Sequence, residues 1–298
     1  MLLTAHCSEE TQSAYKAPGA KPAELMLSRL TGGEETEVLR FLARRPTHTF
    51  ALSGFIRDNG LCSPLNRGKF YACRNAQGGL AGVALIGHAV LFEVSDEAAI
   101  ERFARLARSN REVFMALAEQ EKMESFCDHY FKSGLEPRLI RRELLLEQRR
   151  PVVAHEFLPG LRKAKLDDLD KTVNAHAQLG VEERGFNPFE RDPLGFRERC
   201  ARRIELGRTW VMIQNDKLIF KADVVSATPE VNYIEGIWVT ESERSRGHGL
   251  RCLSQLTRTL LQQTGAVCLF LCESRAAAQR FYAKAGYKPV GYYETVYL

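Results

Sequence analysis

With 298 residues, the chain is long enough for two domains of about 150 residues, each with its own hydrophobic core. A composition of 45% hydrophobic and 27% charged residues is that of an ordinary globular protein and excludes the disordered and membrane-spanning classes. The net charge of +5 arises from basic residues interleaved with acidic ones, which argues against a nucleic-acid-binding arm.

The first 24 residues lack the basic and apolar segments of a secretory signal, and we expect them to form a loose tail. The eight cysteines are scattered without a CxxC pair, which argues against a zinc site and against a disulfide framework. Such cysteines are typical of small buried side chains in a reducing compartment. The sequence therefore predicts a cytoplasmic protein without a membrane partner.

Residues 25–150 alternate strand-like and helix-like segments. Two apolar segments, "KFYACRN" and "LAGVALIGHAVLFEV", flank the turn residues Gln77-Gly78-Gly79 and predict strands. The next predicted elements are a helix in "DEAAIERFARLARSN", a strand in "EVFMALA", a helix in "KMESFCDHYFKSG" and a strand in "RLIRRELLLEQ". Pro151 then interrupts a charged run, and we place a domain boundary there.

Residues 151–298 repeat this order with clearer turn signals. Asn215-Asp216 and Thr228-Pro229-Glu230 divide aromatic and β-branched runs into an antiparallel meander. Leucines at helical spacing then predict a helix in "GLRCLSQLTRTLLQQTG". The other predicted elements are helices in "LDDLDKTVNAHAQLG", "GFRERCARRIELG" and "RAAAQRFYAKAG", a buried strand in "AVCLFLC" and a final pair of strands around "YKPVGYYETVYL".

The segment "ERSRGHGLRC", residues 243–252, joins the meander to the leucine-rich helix. A helix N-terminus exposes backbone N–H groups and carries partial positive charge, so it binds phosphate well. Gly247 and Gly249 leave room for an anion, and Arg244 and Arg246 add charge-assisted hydrogen bonds. A glycine pattern alone more often marks a solvated turn, but its place between strand and helix favours an anion site. The residues expected there are Arg244, Ser245, Arg246, Gly247, His248, Gly249 and Leu250.

In this context the loop resembles that of the GNAT superfamily of acyl-CoA-dependent acyltransferases. The family motif Arg/Gln-x-x-Gly-x-Gly/Ala, which grips the coenzyme A pyrophosphate, matches Arg244, Gly247 and Gly249. A later family signature matches Ala278, Phe281, Tyr282, Lys284, Gly286 and Tyr287. Arg275 stands where many members carry asparagine, so the resemblance does not carry over the amide contact to the coenzyme, although an arginine can instead meet a phosphate. The resemblance covers roughly residues 160–298 and implies that Arg275 and Phe281 also contact the coenzyme.

Over nearly the whole chain, the sequence resembles tandem GNAT proteins. Segments such as "EGIWVTESERSRGHG" and "VGYYETVYL" carry this resemblance. This resemblance implies an α+β (mixed α/β) fold of two GNAT-like domains, 25–150 and 151–298, each a mostly antiparallel sheet flanked by helices. No anion loop follows the first meander, so the first domain is expected to be degenerate. It either shapes the cleft or mediates a homodimer, and the sequence leaves both open.

The resemblance also implies an N-acetyltransferase that moves an acetyl or short acyl group from acetyl-CoA to a primary amine of a small molecule or protein. The backbone of Ile237, Trp238 and Val239 is expected to bind the pantetheine arm. Tyr282 lies at the family position that faces the coenzyme sulfur and is the candidate general acid. The alternative for Tyr282 is an aromatic ring packed on the inner face of its helix.

Glu235 is the candidate general base, on a strand face that it is expected to share with Tyr233 and Ile237. It is equally explained as a strand-edge carboxylate paired with lysine or arginine. Asp223 and Tyr233 are weaker candidates for the same role.

Glu182, Glu183 and Asn187 lie between two helices that wall the acceptor cleft in GNAT folds, where acidic residues attract a cationic amine. The alternative for them is a solvated, charged loop. The seven histidines show no ligand spacing, so no metal site is predicted. A sensor or scaffold that binds acyl-CoA without turnover is the alternative function, because a fold alone does not give an activity.

Overall fold

The computed structural model describes residues 25–131, 135–152, 158–185 and 187–298, apart from the side chain of Arg184. The predicted tail, residues 1–24, lies outside the described residues. None of the helices in these ranges is long and apolar enough to cross a lipid bilayer.

Strands and helices alternate along both halves of the chain. The elements of the first half are β1 (Met26–Arg29), α1 (Glu35–Leu42), α2 (Pro46–Asn59), β2 (Gly68–Arg74), β3 (Leu80–Gly87), β4 (Ala89–Val94), α3 (Ala98–Ser109), β5 (Met115–Glu119), α4 (Gln120–Tyr130) and β6 (Leu139–Gln148). Those of the second half are β7 (Leu161–Lys163), α5 (Leu169–Arg184), α6 (Pro188–Arg191), α7 (Pro193–Glu205), β8 (Thr209–Gln214), β9 (Lys217–Ala227), β10 (Asn232–Val239), α8 (His248–Leu260), β11 (Val267–Cys272), α9 (Ala276–Lys284) and β12 (Lys288–Tyr297).

The described strands form one sheet of twelve in the order β1-β2-β3-β4-β5-β12-β6-β11-β10-β9-β8-β7. Every neighbouring pair is antiparallel except β4 with β5 and β10 with β11. The predicted α+β fold with mostly antiparallel sheet is therefore confirmed. The two halves also follow the same sequence of strand pairings.

The last strand of each half lies beside a strand of the other half. β6 pairs with β11 of the second half, and β12 pairs with β5 of the first. The two exchanged strands then pair with each other at the centre of the sheet. Because β6 crosses over in this way, the first half supplies side chains to the second half's part of the sheet.

Local sequence explains several of these elements. Asn215 and Asp216 adopt positive φ angles of 48° and 59°, which close the two-residue β8–β9 hairpin. Asp192 caps α7 by accepting a hydrogen bond from the Gly195 amide at 3.0 Å, and Pro193 occupies the first helical position. Leu253 and Leu256 bury the apolar face of α8 completely, each contributing about 1.5–3 kcal/mol of transfer free energy.

Two predictions about secondary structure are wrong. The final pair of strands is one continuous strand, β12, with a register shift between Pro289 and Gly291 opposite β6. Proline lacks the N–H that a ladder needs, and a bulge at this point lets the strand continue where a turn was predicted. The helices α1 and α2 were missed by the sequence analysis. In α2, Thr47 and Thr49 are poor helix formers, and the helix is stabilised by burial of its side chains instead.

Candidate active site

A cleft opens in the sheet where β10 and β11 separate. These strands pair in parallel only at Asn232 with Val267 and at Tyr233 with Cys268. Beyond that point β10 continues to Val239 and β11 to Cys272 without pairing with each other. Unpaired backbone groups along a diverging strand are available to a ligand, because each still needs a hydrogen-bond partner.

A bulge at Gly236 bends β10 at the mouth of the cleft. The register with β9 shifts between Glu235, which pairs with Asp223, and Trp238, which pairs with Lys221. Gly236 has φ +63°, and a Cβ there would lie 2.9 Å from the Lys221 Nζ, so glycine is required. The expectation that Glu235 and Ile237 share a strand face is wrong, because the extra residue reverses the alternation after Glu235.

The cleft has a volume of about 930 Å³ and runs from the start of α8 to the gap between β10 and β11. Of the residues predicted to act in catalysis or to bind coenzyme or acceptor, those lining it are Glu182, Glu183, Ile237, Trp238, Val239, Arg244, Ser245, Gly247, Gly249, Leu250, Arg275, Phe281 and Tyr282. The predicted residues that do not line it are Asn187, Glu235, Arg246 and His248. The fold thus gathers most of the predicted set on one surface.

The predicted anion loop leads directly into α8. The helix begins at His248, and its N-cap Gly247 has φ +79°, a left-handed conformation that favours glycine. A Cβ on Gly249 would approach the Val239 Cγ2 to 3.1 Å and the Phe281 ring to 3.5 Å. Close packing against the cleft wall is therefore a second reason for glycine at this position.

Two arginines of the site form ion pairs with the C-terminal end of α5. Arg244 Nη2 lies 2.6 Å from Glu182 Oε1, and Arg275 Nη1 lies 3.0 Å from Glu183 Oε1. Arg244 Nε also donates to the Val239 carbonyl at 3.0 Å. All four charged groups are partly exposed, so each pair is weak enough for a phosphate to exchange with the carboxylate.

Three of the predicted residues that do not line the cleft form other contacts. Arg246 and His248 both contact Glu243, at 3.1 Å and 3.6 Å. Asn187 caps α6 by accepting a hydrogen bond from the Phe189 amide at 3.0 Å. Direct roles in binding for these side chains stay predictions.

Tyr282 lies between two cavities. Its ring packs edge-on to Phe281 and Tyr287, with centroids 5.1 Å and 6.0 Å away, so its alternative interpretation as a packed aromatic also holds. Burial, with the neighbouring charge of Glu183, raises the pKa of Tyr282 above its ordinary value. The hydroxyl therefore keeps its proton at neutral pH and can donate a hydrogen bond.

A second cavity of about 310 Å³ lies on the side of the cleft formed by α5 and α7. Glu235 lines this cavity, with its Oε1 3.9 Å from Arg203 Nη2. The residues common to both cavities are Glu143, Leu179, Glu183, Ile237, Phe270 and Tyr282. Sequence reasoning missed Glu143, which the exchanged strand β6 brings into the second half's site.

A buried charge cluster supports the wall of the second cavity. Asp223 and Lys221 are each 1% exposed and paired with one another. Arg203 and Thr209 also donate to the Asp223 carboxylate, at 3.2 Å and 2.8 Å. Burial and then the Lys221 charge lower the pKa of His176, whose Nδ1 lies 3.0 Å from Lys221 Nζ. The only sequence signal was two charges spaced by two within the apolar run "IFKADV".

The same charged neighbours decide the role of Asp223 itself. Burial alone would raise the pKa of Asp223, but the charge of Lys221 and the contacts of His176 and Arg203 outweigh it, and the pKa is lowered. A carboxylate held this firmly in its ionised form, with both oxygens engaged, is a poor proton acceptor. Asp223 therefore orders the wall of the cavity, which leaves the base role to other carboxylates.

The corresponding gap between β4 and β5 in the first half is closed. Arg45 and Lys122 each form ion pairs with both Glu93 and Glu119, at 2.6–3.0 Å. His48 adds a contact to Glu119 at 3.1 Å. The cavity there measures about 30 Å³, room for about one water molecule. In the described part of the first half, ion-paired side chains therefore occupy the position that the cleft has in the second half.

Within the described ranges, no group of three or more histidine, cysteine, aspartate or glutamate side chains is arranged to hold a metal ion. Nor does any disulfide join the cysteines described, which are free thiols.

Comparison with known proteins agrees with this geometry. Residues 205–289 match the family model described as an acetyltransferase (GNAT) domain. No curated protein matches the chain significantly.

Solved structures share the architecture across nearly the whole chain. A GCN5-related N-acetyltransferase from Sphaerobacter thermophilus is 15% identical with a TM-score of 0.60, covering 91% of this chain and 94% of its own. A GNAT-family acetyltransferase from Colwellia psychrerythraea is 13% identical with a TM-score of 0.55, covering 92% and 100%. A tandem GNAT protein from the clavulanic acid biosynthesis pathway is 13% identical with a TM-score of 0.55, covering 91% and 98%.

At these identities the solved structures establish likeness of fold only. The family model adds the sequence match, and it spans β8 to α9, the elements that build the cleft, the glycine loop and Tyr282. Residues 205–289 are therefore similar to a GNAT acetyltransferase domain, within a fold that solved GNAT acetyltransferases share.

Proposed function

We propose that the protein transfers an acetyl or other short acyl group from acyl-CoA to the primary amine of a small molecule or protein. One observation carries this proposal: the 930 Å³ cleft meets the 310 Å³ cavity at Tyr282, in the gap between two diverging strands. A long donor in the cleft and an amine in the second cavity then come together at one point. Positioning of this kind supplies much of the rate of a bimolecular transfer.

The acyl-CoA donor is expected to bind with its phosphates at one end of the cleft and its pantetheine arm along β10. The amides at the start of α8 and the arginines Arg244 and Arg275 offer charge complementary to a diphosphate. Backbone groups from Ile237 to Val239 pair with none of the described strands on the cleft side, so they can pair with the amide groups of a pantetheine arm. Tyr282 then donates a hydrogen bond to the departing thiolate.

The acceptor is expected to be a cation before it reacts. The walls of the second cavity include Glu143, Glu183 and Glu235, whereas its arginines Arg199 and Arg203 are paired with aspartates. An acidic lining of this kind attracts an ammonium group.

We propose that the chain has two domains, which meet near Pro151 and share their last strands. We also propose a cytoplasmic location, which is in keeping with the free thiols.

The test is to measure binding and turnover with the full chain. Titration calorimetry should show heat on adding coenzyme A, and thiol release from acetyl-CoA should rise with at least one amine from a panel of diamines, amino sugars and lysine peptides. Binding without thiol release for every amine would favour the sensor alternative. Absence of any binding heat from folded protein would remove both functions.

Replacing Gly249 by valine should weaken coenzyme A binding about 30-fold, close to 2 kcal/mol. A Cβ there already meets Val239 and Phe281, so the two methyl groups project into the space needed by a phosphate. Gly32→Val is the matched control, since a Cβ on Gly32 meets no atom within 4 Å and the residue is far from the cleft along the sheet. Equal affinity in the Gly249 variant, measured calorimetrically, would contradict the assignment of the loop.

A further inference from the structure

We infer that the acceptor amine carries a neutral oxygen, a hydroxyl or an amide carbonyl, that accepts a hydrogen bond from Nε2 of His176 in the second cavity. The inference rests on the proposed acyl transfer and names the class of amine that the site selects. His176 is then a specificity residue, because it contacts the body of the acceptor and not the reacting atoms.

His176 lies in the part of the second cavity that is remote from the cleft. It lines that cavity but not the cleft, whereas Leu179 and Glu183 of the same helix line both. Spacings of three, four and seven residues place His176, Leu179, Gly180 and Glu183 on one face of α5. The helical rise separates His176 from Glu183 by about 10 Å along the axis. The acceptor oxygen therefore lies several bonds from the amine nitrogen that reacts beside Glu183.

The two nitrogens of the His176 ring have different surroundings. Nδ1 lies 3.0 Å from Lys221 Nζ and 3.4 Å from both Arg203 Nη1 and Asp223 Oδ2. Nε2 forms no hydrogen bond with any described residue, and it is not one of their buried polar atoms that lack a partner, so it is accessible. Because the ring lines the second cavity, a molecule bound there can reach Nε2.

The neighbours of Nδ1 fix which ring nitrogen carries the proton. The nearest of them is the Lys221 ammonium, which has N–H donors and no acceptor. Nδ1 therefore accepts a hydrogen bond from Lys221, and the proton of the neutral ring is on Nε2. The other tautomer would direct an N–H at this ammonium, with the Asp223 carboxylate farther away. Edge-on packing against Phe196, with ring centroids 5.2 Å apart, holds the ring in place.

The charges around His176 favour a neutral oxygen over a carboxylate. Two cations, Lys221 and Arg203, lie beside two anions, Asp223 and Glu235. Burial and then the Lys221 charge lower the pKa of His176, so its ring adds no charge at neutral pH. A carboxylate would find no unbalanced cation to compensate for its loss of hydration. A hydroxyl or carbonyl oxygen needs only the donor that Nε2 provides.

The first experiment compares matched amines by thiol release from acetyl-CoA with the full chain. ω-Aminopentanol is paired with hexylamine and ω-aminohexanamide with octylamine, so each pair has equal numbers of non-hydrogen atoms. At least one oxygen-bearing amine should have a kcat/KM about tenfold above that of its partner, and the pair concerned distinguishes a hydroxyl from a carbonyl. Ethanolamine is too short to reach His176 and should show no advantage over propylamine. The carboxylate ω-aminohexanoate should react more slowly than ω-aminohexanamide.

The second experiment measures the kcat/KM ratio of the preferred pair in variants, because this ratio does not depend on the fraction of enzyme that folds. His176→Asn keeps an acceptor for Lys221 near the Nδ1 position but has no atom at the Nε2 position, so the ratio should fall to about 1. His176→Gln carries an amide nitrogen near the Nε2 position and should keep a ratio above that of the asparagine variant.

His88→Asn is the matched control for these variants. His88 also packs against a phenylalanine, Phe114, and burial also lowers its pKa, but it lines neither the cleft nor the second cavity. Its variant should keep the wild-type ratio.

Three results would overturn the inference: equal kcat/KM for both members of every pair in the wild type, an unchanged ratio in His176→Asn, or a preference for the carboxylate over the amide. A wild-type protein that releases no thiol with any amine would instead overturn the proposed function.

Discussion

Replacing Asp223 by alanine is expected to lower the free energy of unfolding by about 3–5 kcal/mol. The carboxylate is fully buried, and it balances the equally buried ammonium of Lys221 while accepting a hydrogen bond from Thr209. Its removal leaves a cation inside the protein with the neutral ring of His176 as its nearest remaining partner. An unpaired buried charge costs far more than a pair contributes, which is why this effect is large.

At acidic pH, the difference in free energy of unfolding between the wild type and the Asp223→Ala variant should become smaller. The pKa of Asp223 is lower in the folded state than in the unfolded state, so its contribution is fully present above the unfolded value, about 3.9. The contribution is lost as the pH falls below that value toward the folded pKa. Wild-type stability should therefore fall more steeply than that of the variant below about pH 4.

Urea unfolding at pH 7 and at pH 3 measures both effects. Asp170→Ala is the matched control, because Asp170 is also ion-paired with an arginine but is largely exposed. It should change stability by less than about 1 kcal/mol at either pH. A loss of that small size in the Asp223 variant would show that the cluster does not depend on this carboxylate.

Replacing Tyr282 by phenylalanine should lower kcat about 100-fold or more and leave coenzyme A affinity within about twofold. The ring and its packing against Phe281 remain, so the loss isolates the hydroxyl. Because the pKa of Tyr282 is raised, the wild-type rate should not fall from loss of this proton as the pH approaches 10. Thiol release at saturating amine, measured from pH 6 to 10, checks both statements.

Tyr287→Phe gives the matched control for that experiment. Tyr287 is also buried with a raised pKa, but it lines neither cavity and shares a hydrogen bond of 2.7 Å with Thr257. Its variant should lose about 1 kcal/mol of stability and keep kcat. An equal loss of rate in both tyrosine variants would mean that packing, and not proton donation, explains the effect at Tyr282.

Features encoded over a few neighbouring residues were predictable from the sequence. The glycine loop and α8 follow from a left-handed N-cap at Gly247 and leucines at helical spacing, both local properties of the chain. The β8–β9 turn follows from Asn215-Asp216 for the same reason. Thirteen of the predicted site residues meet in the cleft because the motif that contains most of them spans one supersecondary unit.

Contacts between distant segments were not predictable. The ion pair of Arg244 with Glu182 joins residues 62 positions apart, and nothing in either segment specifies the other. Gly236 is required both by its left-handed backbone and by the approach of Lys221 from β9, and that approach depends on how the strands pair. Such features depend on how strands and helices pack, which local sequence does not specify.

By itself, then, the sequence determined the α+β class, the anion loop at the start of α8 and the family resemblance, all of which rest on short-range backbone preferences and side-chain periodicity. Tertiary structure alone decided that β6 and β12 exchange places, that the first half's gap is closed by ion pairs, and that Glu143 reaches the second half's cleft. The physical reason is that strand order is set by burial and hydrogen bonding summed over the whole sheet. A carboxylate 139 residues away from Tyr282 comes to line the same cleft only once that sheet has formed.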